Sequence, residues 1–165
     1  MPRGSLTRAC ASLLAASLLG VALPAAQAAV TCTASAVGVA FGVYNPLATA
    51  PTTSAGTIQV TCTSTNRGNT VVNLTAYYST GSSGTFTTRT MRSGSNVLDY
   101  NLYFDAGYTL VRGDGTGGTQ VGTATLTLGR NQSDTATGTL YGRIPAGQDV
   151  APGSYADIIT VTVTY

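Results

Sequence analysis

Short bursts of alternating apolar and polar residues run along this chain, broken by Gly, Asn, Asp, Ser and Pro. Val37, Val39 and Phe41 alternate before Gly42, and Ile58, Val60 and Cys62 alternate next. Val72, Leu74, Ala76 and Tyr78 follow, closed by the turn-like "STGSSG". A shorter Thr-rich strand ends at Met91. Leu98, Tyr100, Leu102 and Phe104 form the strongest central candidate, closed by "DAG". Tyr108 to Val111 runs into "RGDGTGG", Ala124, Leu126 and Leu128 make another strand, and Thr135 to Ile144 is stopped by Pro145. The last burst runs from Ala156 to Tyr165. A period of two marks a half-buried strand. About eight or nine such strands with turn residues between them predict an antiparallel β-sandwich. "YNPLATAPTTSAG" reads as the loop between the first two strands.

The final strand poses a question. Ile159, Val161, Val163 and Tyr165 share one side, and Thr160, Thr162 and Thr164 the other. Read from the residues alone, the favoured arrangement is a complete sandwich with this strand between two others. The other arrangement leaves its free side to be covered by something else.

The start of the chain changes the domain reading. Arg3 and Arg8 precede an apolar run from Ala9 to Leu23, followed by Pro24 and the Ala26-Gln27-Ala28 cleavage pattern. This predicts a secretory signal peptide over residues 1–28 and one domain over 29–165, with an uncleaved anchor as the other reading. The predicted domain then carries six Arg and six Asp, with no Lys, Glu, His or Trp. Much Thr, Gly, Val and Tyr with few charges favours strands over helices. Balanced charge argues against nucleic-acid binding and against electrostatic attachment to membranes.

Beyond residue 28 the cysteines are Cys32 and Cys62, each in a predicted strand. Export makes an even pair a disulfide candidate. Such a bridge would add about 3–4 kcal/mol on the chain-entropy estimate. Two buried thiols, or a two-cysteine metal site lacking His ligands, are the other readings.

Without His, neither a Ser-His-Asp nor a Cys-His pair can be built. A carboxylate pair among Asp99, Asp105 and Asp114 would be needed for hydrolysis, against the plainer reading of turn chemistry. No catalytic, cofactor-binding or metal-ligating residues are expected. Arg112-Gly113-Asp114 matches a cell-attachment tripeptide, but a hairpin loop with Gly at positive φ is the stronger reading. The sequons at Asn73 and Asn131 are taken as chance.

Four runs carry a resemblance: "VGVAFGVYNPLA" followed by "GTIQVTCT", then "RTMRSGSNVLDYNLYFDAGYTLVRGDGTGG", then "LYGRIPAGQDVAPGSYADIITVTVTY". In order and spacing they resemble the spore coat protein U domain, found in subunits of archaic chaperone–usher pili. The family often has Trp just before its Gly-Asp-Gly; Arg112 stands there instead, so a ring that would pack in the core or at a surface is expected to be missing. The resemblance implies an immunoglobulin-like sandwich lacking its last strand, completed by a donor strand from another chain. Ile159, Val161, Val163 and Tyr165 would then line one wall of the groove, and Val37, Val39 and Phe41 the other. The implied partners are a periplasmic chaperone, an outer-membrane usher and other pilus subunits, with export through the periplasm to the cell surface and a role in attachment, biofilm or coat formation. Cleavage after Ala28 would leave Ala29, Val30 and Thr31 before Cys32. Three residues span at most about 10 Å, too little for a donor strand, so an accepting, terminal subunit is expected. The rival reading is a self-contained module that binds carbohydrate or a surface through Tyr-rich loops.

Overall fold

The computed structural model describes residues 29–165. The expected signal peptide lies outside them. Eight strands form: β1 (Val30–Val37), β2 (Thr52–Ser64), β3 (Thr70–Tyr78), β4 (Arg89–Ser93), β5 (Asn96–Tyr103), β6 (Gly122–Leu128), β7 (Ser133–Ile144) and β8 (Val161–Thr164). One sheet has the order β1-β2-β7-β5-β4 and the other β6-β3-β8, with every strand pair antiparallel. The two sheets make the antiparallel sandwich that the alternation predicts, of the immunoglobulin-like kind that the resemblance implies.

Register decides which residues enter the core. On β2 the even positions Ile58, Val60 and Cys62 are buried, and on β3 so are Val72, Leu74, Ala76 and Tyr78. Opposed residues of an antiparallel pair share a face. Cys32 lies opposite Cys62 and is bridged to it. Val60, Cys62, Val72, Leu74, Leu126 and Leu128 then close one end of the sandwich. Met91, Leu98, Tyr100, Leu102 and Ile144 form a second cluster around β4 and β5.

Two predicted strands are shorter or displaced. Val37, Val39 and Phe41 do not form one alternating strand. In β1 the pairings Ala34↔Val60 and Ala36↔Ile58 put even residues on the inner face. Val37 therefore pairs with Thr57 on the outer side and is 67% exposed. The chain then leaves the ladder and crosses the inner face of the large sheet. Gly56 and Gly142 permit that crossing: a Cβ on Gly56 would stand 2.5 Å from the Val37 carbonyl oxygen, and one on Gly142 would stand 2.5 Å from Val39. The last strand is likewise shorter than Ala156–Tyr165. Ala156 exchanges two backbone hydrogen bonds with Arg92 of β4, and only at Val161 does the chain join β3. A segment that changes sheets cannot keep one ladder, though its two-residue alternation persists: Tyr155, Asp157, Ile159, Val161 and Val163 are half-buried.

Three smaller corrections follow from turns. Tyr108 to Val111 is not a strand: Tyr108 has φ 57°, and Val111 makes only an isolated bridge to Tyr103. The loop before β2 ends at Pro51, because Thr52 already pairs with Ile144. Met91 lies within β4 rather than at its end.

Candidate functional site: an open cleft beside the last strand

Among the described residues β8 is an edge strand, hydrogen-bonded to β3 alone. At the opposite sheet β1 is also an edge. Between the two crossing segments, residues 36–41 and 155–161, lies a cleft of ≈ 300 Å³. Val39 and Phe41 stand on one side of it, Ile159 and Val161 on the other, and Tyr100, Leu102 and Leu140 on its floor. It continues past Val39, Phe41, Met91 and Tyr155 into a wider cleft of ≈ 760 Å³ bounded by residues 150–155. The Phe41 ring meets Tyr100 edge-on at 5.9 Å between centroids.

The seven residues expected to line a groove separate into three groups. Val39, Phe41, Ile159 and Val161 come together on the cleft, each half-buried. Val163 is half-buried at the disulfide-end cluster and borders a different cavity. Val37 borders the cleft at the exposed end of β1, and Tyr165 is 61% exposed.

The floor holds a polar pair that alternation alone did not single out. Asp157 lies on the inward row of the last segment. Its carboxylate accepts a hydrogen bond from the Tyr100 hydroxyl at 2.8 Å and from the Ser82 backbone N–H at 2.9 Å. Burial, reinforced by the bond to Asp157, raises the Tyr100 phenol well above its ordinary value. This pair ties the strap after Tyr155 to β5 while leaving the apolar cleft open beside it.

Two arginines sit where apolar residues would be expected. Arg89 is fully buried and donates to Asn101 Oδ1, to the Ser79 carbonyl twice and to the Arg112 carbonyl, at 2.7–3.2 Å. Arg112 is 4% exposed, with its guanidinium 4.3 Å from the Phe104 ring centroid and 5.1 Å from that of Tyr78. The guanidinium is thus itself packed against rings at the place where a missing ring was expected. It also removes Arg112-Gly113-Asp114 as a displayed attachment tripeptide. Phe104, expected to end the alternation of the central strand, lies past β5 and stacks on Arg112 instead. A planar cation that stacks on rings can replace a ring, but nothing in its sequence context announced that it would.

The aspartates expected as hydrolytic candidates are engaged locally. Asp105 accepts from Thr109 and Leu110, which holds its carboxyl below the ordinary value. Asp114 accepts from the Thr116 backbone and hydroxyl, with the same consequence. Asp99 lies on β5, its backbone held by the Gln148 side chain. Among the described residues no three of His, Cys, Asp and Glu stand together as metal ligands, and no helix is long and apolar enough to cross a membrane.

Known proteins give this cleft a context. Among curated proteins, none matches the chain. A solved structure that does match is the complex of CsuC and CsuE, a chaperone and tip adhesion subunit caught before assembly, from the archaic Csu pili of Acinetobacter baumannii. The likeness has a TM-score of 0.52 at 19% identity over 82% of this chain. The chain spans 40% of the length of that structure's chain, and at this identity the likeness concerns the fold. The family model for the Spore Coat Protein U domain matches residues 15–162. That match takes in the sheet-changing last segment and both walls of the cleft, and the chain belongs to the spore coat protein U domain family.

Proposed function

We propose that this chain is a non-enzymatic structural subunit of a chaperone–usher surface pilus, completed by a strand from a second protein. The observation that carries the reading is the cleft: Val39, Phe41, Ile159 and Val161 stay half-buried beside β8, whose outer edge has no partner strand. An uncovered apolar edge is an aggregation hazard unless another strand pairs with it. Strand addition supplies both backbone hydrogen bonds and alternate side chains for the cleft. Family membership and the chaperone-bound neighbour support the same reading. A periplasmic chaperone would fill the cleft first, and a neighbouring subunit would replace it at an outer-membrane usher. Export through the periplasm, a place on the cell surface and a role in attachment follow from this reading.

The test is complementation. The exported chain alone should aggregate or be degraded. Co-expression with a periplasmic pilus chaperone should rescue it, as should a period-two apolar strand fused after Tyr165 through a linker long enough to turn back. A monomer that unfolds cooperatively and stays soluble without either addition overturns the reading.

A further inference from the structure

On the other side of the small sheet, a second cavity of ≈ 280 Å³ lies between the layers. Small residues create it: Gly122 and Ala124 on β6 face Ala136 and Gly138 on β7. These four are half-exposed, whereas Ile58, Val60 and Leu74 on the deeper wall are buried. The mouth therefore opens on the β6 side, at the sheet edge opposite β8.

One wall of this apolar space is the Arg112 guanidinium. Its Nη2 donates to the Thr139 carbonyl at 2.9 Å, and its Nε is buried with no hydrogen-bond partner. The Arg112 main chain is fixed, its N–H donating to the Leu102 carbonyl and its carbonyl accepting from Arg89, and its guanidinium packs on the Phe104 and Tyr78 rings. A buried cation that meets one carbonyl and two ring faces but leaves its Nε unpaired gains from an anionic partner. Gly122 keeps both donors uncovered: a Cβ there would stand 3.2 Å from Arg112 Nη1, 3.4 Å from Ala76 Cβ and 3.5 Å from the Tyr78 hydroxyl, so a larger residue would crowd them. Gly122 is not among the glycines with positive φ, so the backbone does not demand glycine there.

We propose that this cavity binds a small monocarboxylate, its carboxylate held by Arg112 and the Tyr78 hydroxyl and its tail lying against Ile58, Val60 and Leu74. An apolar cavity of about 150 Å³ accepts benzene, so this one has room for a six-carbon acid. The site lies apart from the strand cleft and does not depend on strand complementation. Titrating the chain completed by an apolar strand fused after Tyr165, or the exported chain itself should it stay soluble alone, with hexanoate and, separately, with 1-hexanol tests it, followed by calorimetry and NMR. Hexanoate should bind one to one and at least tenfold more tightly than the alcohol. Arg112→Leu should remove that tenfold preference, and Gly122→Val should abolish binding of both probes. If Arg112→Leu does not fold, the acid-to-alcohol ratio and the Gly122→Val chain decide by themselves. No saturable binding, equal binding of the alcohol, or binding that survives Gly122→Val overturns the proposal.

Discussion

The two ends of the sandwich use the same kind of sequence and reach different degrees of closure. At the disulfide end, Cys62 and Leu128 are 0% and 1% exposed, sealed between β2, β3 and β6. At the cleft, Val39, Phe41, Ile159 and Val161 come from equally apolar alternating segments yet remain half-buried. The difference is layer count rather than composition. Each buried residue at the closed end has a strand above it, whereas those along the cleft face an edge where the small sheet stops at β8. Apolar pattern alone does not report burial; the neighbouring layer decides how much of the pattern is converted into stability.

The largest effect should come from unfastening the closed end. Replacing both Cys32 and Cys62 by Ser in the chain completed by the fused strand should lower unfolding free energy by about 3–4 kcal/mol, measured by denaturant titration, because the bridge closes a loop with a sequence separation of 30. A loss below about 1 kcal/mol would mean that this end is held by packing alone. Next in size, Leu128→Ala should cost about 3 kcal/mol, since its site is sealed and cannot collapse. Ile159→Ala, at an edge site that can relax, should cost under about 2 kcal/mol in the chain completed by the fused strand. Equal costs at the two positions would erase the contrast. The Ile159 contrast sharpens once a complementing strand is bound. The same substitution should then weaken strand binding about tenfold, read as a faster off-rate in a competition experiment.

The smallest effect concerns pH. Burial raises the Tyr78 and Tyr100 phenols, in Tyr78 against the pull of the Arg112 charge. A raised folded-state value means that the folded form holds the proton more tightly. The resulting stability is complete below about pH 10, the ordinary tyrosine value, and is lost as pH rises from there toward the folded values. An alkaline absorbance titration should show these two ionising only as the domain unfolds. A bound complementing strand should move that last step to higher pH, through Tyr100 on the cleft floor.

The sequence by itself determined the layers. Period-two alternation located most of β3, β5, β6 and β7 and the later part of β2, because inward residues on a two-layer sandwich must alternate with outward ones. The absence of His with local turn chemistry around the aspartates left no familiar catalytic arrangement to place. The cysteines were recognisable as a candidate pair from export and strand placement, and register then set them opposite one another. Tertiary structure decided what lies where chains change sheets. Nothing local says that the ladder ends at Val37, or that Gly56 and Gly142 clear a path for Val39 and Phe41, since those contacts join residues far apart in sequence. The same holds for Arg89 and Arg112. A guanidinium is legible as a surface charge until carbonyls and aromatic rings from distant strands surround it, and only the folded chain brings those together.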